Sequence, residues 1–333
     1  VMQPYWTNGQ ATLYLGDAQE MLAELPAGSA DCIVTSPPYY GPRDYGVPGQ
    51  YGQEPTPAEY VETLRQTFSQ ARRVLADDGT LWLNLGDCYA ANSDGWARGR
   101  DYNERQPATR PASRLSVPPK NLLGMPWRVA LALQEDGWIL RNAIVWHKPN
   151  AMPQSVLDRV STRYEMIFLL VKQRRYWFDL DAIRESYTGD RPVPRRARGG
   201  CSRAIDGKYT PEVDAICGKR HGAAMMATGR RHAAANERGR NPGDVWSIST
   251  RPLRAAHFAA FPIDIPLRAI AAGCRLGGTV IDPFAGAATT ALAARQLGRP
   301  FVGIEINEGF CDLARARILA ATAQAQGEET ETG

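Results

Sequence analysis

A chain of 333 residues has room for about two domains of roughly 150 residues each, or for one large α/β domain with an insertion. Its 44% hydrophobic and 22% charged residues exclude global disorder and a structural fibre. Net charge is only +4, and the longest apolar run, Met166 to Val171, falls far short of the roughly 18 to 20 residues that a membrane-spanning helix needs.

The first strand is short, Ala11 to Leu15, and a turn at Gly16-Asp17 leads into a helix from Ala18 to Leu25 and a buried strand from Asp31 to Thr35. This is a β-α-β unit. A helix from Pro57 to Leu75, a turn at Asp77-Asp78-Gly79 and an apolar strand from Thr80 to Leu85 repeat the cycle. A helix from Pro126 to Glu135 and strands at Ile139 to His147 and Tyr164 to Val171 follow. Past residue 242 the pattern resumes with a helix at Pro262 to Ala272, a strand at Thr279 to Ile281 and a helix at Thr289 to Leu297. A strand at Phe301 to Ile304 and a helix at Gly309 to Ala323 close it. Such alternation implies a mostly parallel sheet with helices on both faces.

Two segments interrupt the cycle. Residues 90 to 120 lack periodicity and read as a long loop. Between Arg184 and Arg240 there are 13 Lys+Arg against 6 Asp+Glu, so this stretch is strongly basic and the remainder slightly acidic, an asymmetry suited to a polyanionic partner. The expected organisation is residues 1–183 and 243–323 forming one domain, 184–242 inserted into it, and 324–333 a disordered tail. The six cysteines include no Cys-x-x-Cys pair, and the N-terminus has no basic flank before an apolar core, so a reducing cytoplasm is expected.

Chemistry concentrates at two strand ends. Asp282-Pro283-Phe284-Ala285-Gly286 follows a strand directly, and a glycine at such a turn lets a ligand approach the backbone. Glu305 ends the next strand, where a carboxylate can accept hydrogen bonds from both hydroxyls of a ribose. The pair suggests an adenosine site, although the pattern alone also fits an ordinary turn beside a surface acid. There is no phosphate-cradling glycine motif, so the adenosine carrier need not bear phosphates. Thr35-Ser36-Pro37-Pro38-Tyr39 ends another strand. The two prolines stiffen the turn, a hydroxyl and a free carbonyl can take two hydrogen bonds from one amino group, and Tyr39 offers a ring on which a flat base can stack. Read in isolation, Ser-Pro-Pro-Tyr would be a plain loop.

Together, Thr35 to Tyr39 and Asp282 to Gly286 strongly resemble the S-adenosylmethionine-dependent amino-methyltransferases of DNA. With the catalytic motif first, the basic insertion next and the cofactor motif last, the order resembles their circularly permuted beta class. Leu15-Gly16-Asp17, Leu75 to Asp87, Trp146 to Asn150, Arg163-Tyr164-Glu165 and His257 to Pro262 extend the resemblance over most of the chain. It implies a Rossmann-like α/β methyltransferase fold and S-adenosylmethionine as cofactor. Asp17 would meet the adenine amino group, Glu305 the ribose hydroxyls, and Phe284 to Gly286 the methionine end, with the His257 to Pro262 segment, His257 and Phe261 among it, closing over it. Thr35, Asp282 and Pro283 complete the cofactor set. One departure is Ala288, where the family usually has a second glycine; a slightly tighter or shifted cofactor pose is expected from it.

The resemblance also implies a catalytic set of Ser36, Pro37, Pro38 and Tyr39. The exocyclic nitrogen of a base is a poor nucleophile, because its lone pair is delocalised into the ring. Ser36 and the Pro37 carbonyl would accept its hydrogens as it becomes pyramidal, with the base flipped from the duplex onto Tyr39. Serine in the first motif position resembles the enzymes that methylate cytosine N4, whereas those for adenine N6 more often carry Asp. Other readings are adenine N6 methylation and a catalytically silent DNA-binding protein.

Double-stranded DNA is the expected partner, with phosphate or base contacts from Arg43 and from Arg195, Arg196, Arg198, Arg203, Lys219, Arg220, Arg230 and Arg231. A bacterial or phage source and a cognate restriction endonuclease would fit that reading. Tyr40, Arg43, Tyr45 and Tyr51 sit in a Gly/Pro-rich loop with the makings of a lid. Cys201, Cys217, His221 and His232 lack the tight spacing of a zinc set, and no metal is expected.

Overall fold

The computed structural model describes residues 2–41, 45–90, 117–186, 238–251 and 261–331, with side chains as far as residue 323. The expected sites at Arg43, at His257, at the eight basic positions from Arg195 to Arg231, and at Cys201, Cys217, His221 and His232 lie outside the described residues. The chain divides into two compact units, residues 1–179 with 243–333, and residues 180–242.

Among its described residues the larger unit holds nine strands in a single mixed sheet: β1 (Trp6–Thr7), β2 (Ala11–Leu15), β3 (Ala30–Thr35), β4 (Leu75–Leu85), β5 (Ile139–His147), β6 (Tyr164–Val171), β7 (Val245–Ser247), β8 (Val280–Asp282) and β9 (Phe301–Glu305). Their order across the sheet is β1-β2-β9-β8-β3-β4-β6-β5-β7. Strands β2, β9, β8, β3 and β4 are parallel, and β6 then runs antiparallel to both β4 and β5. The late strands β8 and β9 thus enter between the early strands β2 and β3. From β8 the chain proceeds to β9 on one side, whereas from β3 it proceeds to β4 on the other. Their junction is the point of reversal where open α/β sheets bind ligands.

Among the described residues six helices cover the sheet: α1 (Ala18–Glu24), α2 (Pro57–Val74), α3 (Met125–Glu135), α4 (Asp264–Gly273), α5 (Thr289–Gln296) and α6 (Glu308–Glu331). Helix α2 shows why the sequence folds this way. Thr56 and Glu59 form a reciprocal capping box ahead of Pro57, a device worth about 1 kcal/mol. Tyr60, Leu64, Phe68, Ala71 and Val74 recur at helical spacing and are buried. Along β4 the period is two instead. Leu81 and Leu83 join the core containing α2 and α3, while Trp82 packs with Phe178 and Trp246.

Three expectations are corrected. Asp77-Asp78-Gly79 does not form a turn before β4 but lies within it, beside a register shift against β3. A Cβ on Gly79 would stand 2.8 Å from the Asp31 carbonyl oxygen, so this glycine serves close strand approach. Secondly, α6 continues to Glu331, so most of the expected disordered tail is helical; its Ala, Gln and Glu residues are good helix formers. Thirdly, the loop tyrosines pin their loop. Tyr40 and Tyr51 are buried, Tyr40 against the Tyr60 ring, and Tyr51 bonds Thr67 at 3.1 Å and meets the Phe284 ring edge-on. Among the described residues no helix is long and apolar enough to cross a membrane.

The smaller unit, where described, carries a short 3₁₀ turn at Asp181–Ile183 and a bridge between Glu185 and Arg240. Asp181 is ion-paired with both Arg184 and Arg238.

Candidate active site

At the point of reversal Thr35, the last residue of β3, donates its hydroxyl to Asp282 Oδ1 at 2.6 Å. The other carboxylate oxygen accepts from Thr290 at 2.7 Å, and the Phe284 amide donates to Oδ1 at 3.1 Å. Burial raises the Asp282 carboxyl to about 6, and these three hydrogen bonds hold it down against that rise. Both Thr35 and Asp282 are buried, and their hydrogen bond joins the loops after β3 and β8.

The loop after β8 is fastened to the end of β9. Gly286 donates its amide to Glu305 Oε2 at 2.8 Å, and Asn307 donates to Oε1 at 2.9 Å. Burial raises the Glu305 carboxyl, while the backbone amides oppose the rise. Each oxygen keeps a lone-pair direction for a further donor. On the far side the Gly16 amide donates to the Glu305 carbonyl at 2.9 Å, which brings the Gly16-Asp17 turn alongside. Asp17 caps α1 through the amides of Gln19 and Glu20. Ala288 starts α5 at φ +57°, a left-handed conformation that favours glycine, so the departure from the family pattern falls where a side chain is least welcome. Phe261 lies partly buried before α4.

Beyond Thr35, the expected motif enters a polar network that sequence reasoning missed. The amide of Asn84, near the end of β4, donates to the Met166 carbonyl at 3.1 Å and approaches Glu165 at 3.3 Å. A carbonyl only accepts, so the nitrogen of this amide faces Met166 and its oxygen faces Ser36, 3.2 Å away. Tyr39 donates to Glu165 Oε2 at 2.7 Å, and Glu165 Oε1 pairs with Lys148, whose ammonium lies 4.3 Å from the centre of the Trp146 ring. Burial, then the charge of Glu165, raises the Tyr39 phenol well above its usual value, so it remains a donor. A Cβ on Gly86 would overlap the Tyr39 ring, which packs on that glycine. Pro37 is buried, and the Pro38 carbonyl accepts from Tyr60 at 2.9 Å. One signal was available for Asn84: an amide inside the apolar run Leu81 to Leu85 must find partners when buried.

A family model described as DNA methylase matches residues 30–316. The chain is 39% identical over 329 residues to the type II methyltransferase M.Cfr9I of Citrobacter freundii, covering 98% of this chain and 91% of that one. It is also 39% identical over 308 residues to M.SmaI of Serratia marcescens, covering 92% and 90%. In fold it is similar to the PvuII DNA methyltransferase described as cytosine-N4-specific, at TM-score 0.60 and 17% identity, covering 94% of this chain and 88% of that one. TTHA0409 from Thermus thermophilus, in complex with S-adenosyl-L-methionine, matches at TM-score 0.52 and 21% identity, covering 93% and 95%. A sheet reversed between β8 and β3, with both motifs at that reversal and a family match spanning most of its length, marks the chain as belonging to the N6/N4 DNA methylase family.

Proposed function

We propose that this chain is a site-specific methyltransferase of double-stranded DNA that transfers a methyl group from S-adenosylmethionine to the exocyclic N4 of a flipped cytosine. The observation that carries the reading is the polarity of Ser36. Asn84 presents a fixed acceptor to the Ser36 hydroxyl, and Tyr39 commits its proton to Glu165. The serine proton therefore goes to Asn84 at 3.2 Å or to the Tyr39 oxygen at 3.4 Å, and in either case the serine lone pairs are left to accept from an amine. An acceptor on the N–H favours a pyramidal nitrogen whose lone pair is free to attack, and the Pro37 carbonyl is proposed as the second acceptor.

The cofactor fits the donor set. Glu305 keeps acceptor capacity on both oxygens for a ribose diol, Asp17 stands beside it for an adenine amino group, and the Phe284 to Gly286 turn is proposed to hold the methionine end. When bound, S-adenosylmethionine supplies an electrophilic methyl group on its sulfonium. Thr35 and Asp282 set the distance between the nucleophile's acceptors and the cofactor turn. We assign Tyr39 the stacking face for the flipped base, the basic segment 184–242 the recognition of DNA, and a restriction endonuclease of the same specificity the role of companion; the type II designation of the relatives supports the last.

Mass spectrometry of nucleosides from DNA methylated by the purified protein tests this reading. N4-methylcytosine is expected. N6-methyladenine would retain the mechanism and refute the base assignment. Finding 5-methylcytosine would overturn the mechanism, because carbon methylation requires a covalent nucleophile.

A further inference from the structure

Among the described residues four large apolar side chains are more than 80% exposed; Leu276 stands apart at 82%, and the other three share one loop. Leu157 is 105% exposed, Val160 88% and Met152 86%, all within the loop that joins β5 to β6. Isolated exposed apolar residues are commonplace, whereas several on one short loop mark a contact surface.

This loop is a formed structure. Lys148 donates its amide to the Arg163 carbonyl at 2.8 Å across the base of the loop, and Asn150 exchanges hydrogen bonds with Thr250. Within it, Gln154 Oε1 accepts from Arg159 at 2.6 Å and from the Thr162 amide at 3.2 Å. These bonds shape the loop while Leu157, Val160 and Met152 stay exposed on it.

The loop's position identifies its occupant. His147 pairs with Tyr164 and Leu85 with Met166, so β5 ends and β6 begins at the sheet edge that also carries Thr35 and Ser36. Lys148 and Glu165 root the loop, and Glu165 holds the Tyr39 hydroxyl. The loop therefore rises beside the proposed pocket for the target base. Within residues 148–163, Lys148 is paired with Glu165 and the single carboxylate, Asp158, with Lys120, which leaves the charges of Arg159 and Arg163; this balance suits a polyanion.

We infer that residues 150–162 form a DNA-facing wedge, with Leu157 and Val160 entering the base stack where the target base leaves it. The inference rests on the proposed DNA-methylating reading and adds to it the element that offsets the lost stacking. Apolar side chains placed between base steps are an established means of opening a duplex, and extrusion is easiest at a mismatched position.

The test compares the full chain with its Leu157→Ala/Val160→Ala double variant; both positions are fully exposed, so the fold is not at risk. The substrate is a duplex oligonucleotide carrying the methylated site as mapped in DNA from expressing cells. A second duplex differs only by a mismatch opposite the target base. Single-turnover methylation by the variant should fall about tenfold on the matched duplex and about twofold or less on the mismatched one. Equal losses on both duplexes, or no loss on either, would overturn the wedge while leaving the methyltransferase reading intact. A wild-type protein that methylates no DNA would overturn both. A wild-type dimer in sedimentation that the double substitution dissociates would assign the loop to a second copy instead.

Discussion

Thr35 and Asp282 are 247 positions apart in the chain and 2.6 Å apart in the fold, sharing a buried hydrogen bond. It joins the turn that would hold the target amine to the turn that would hold the cofactor. Alignment of nucleophile and methyl donor is the main demand of a direct displacement, and in the proposed mechanism this contact sets it from beneath.

Asp282 also makes stability depend on pH. Its folded value, about 6, lies above the 3.8 of an unperturbed Asp, so between these values the folded chain binds more protons than the unfolded one. The contribution to stability is present below 3.8 and is lost as pH rises to about 6, a change of roughly 3 kcal/mol. Asp282→Asn abolishes this titration and keeps an acceptor for Thr35 and the Phe284 amide. Thr290 can turn its hydroxyl to the Val34 carbonyl, 3.5 Å away. In urea titrations the variant's stability relative to wild type should rise across that window and level off above it. A flat difference would show that Asp282 does not carry a raised value.

Glu305→Ala removes the carboxylate assigned to the ribose and the tie to Gly286. Affinity for S-adenosylmethionine by calorimetry should weaken by about 1 to 3 kcal/mol. Unchanged affinity in a folded variant would remove Glu305 from the cofactor site.

Ser36→Ala should lower kcat by about 10- to 1000-fold with little change in affinity for cofactor or DNA, the pattern of an interaction made chiefly in the transition state. If Asn84 acts through Ser36, Asn84→Ala should add almost nothing in the Ser36→Ala background. Additive losses in that double-mutant cycle would give Asn84 a separate role.

Glu165→Gln replaces an acceptor-only group with one that also donates, and leaves Lys148 without its carboxylate. A Gln that turns its NH2 toward Tyr39 leaves the phenol to donate to Asn84 Oδ1, 3.1 Å away, in competition with Ser36, so kcat should fall more than KM rises. Equal losses of both would reduce Glu165 to a structural residue.

Neutralising Arg195, Arg196 and Arg198 together should flatten the fall of DNA affinity with salt, by up to about 0.9 in log-log slope for each phosphate no longer neutralised. An unchanged slope would place the grip on DNA elsewhere.

Much of this architecture is legible in the sequence, because strand-end motifs are local. Thr35 to Tyr39 and Asp282 to Gly286 each sit beside an apolar strand, and Glu305 closes another. What the sequence hides is pairwise and distant. Asn84 signals only that a buried amide needs partners, and neither it nor Glu165 names its partner; their network arises only when β4 and β6 pair. The strands β1 and β7 are two and three residues long, too short for any period to register. Gly79 suggests a turn by composition, yet its missing side chain serves strand packing.

The insertion of β8 and β9 between β2 and β3 also has a consequence for biosynthesis. A nascent chain that has reached residue 242 has made β1 to β6 but neither the edge strand β7 nor the inserted pair β8 and β9, and β2 and β3 each present an unpaired edge until β8 and β9 leave the ribosome. The methyl-transfer site therefore closes near the end of translation. The same order makes residues 1–242 and 243–333 natural halves for a split enzyme, each inert until the second supplies the missing middle of the sheet.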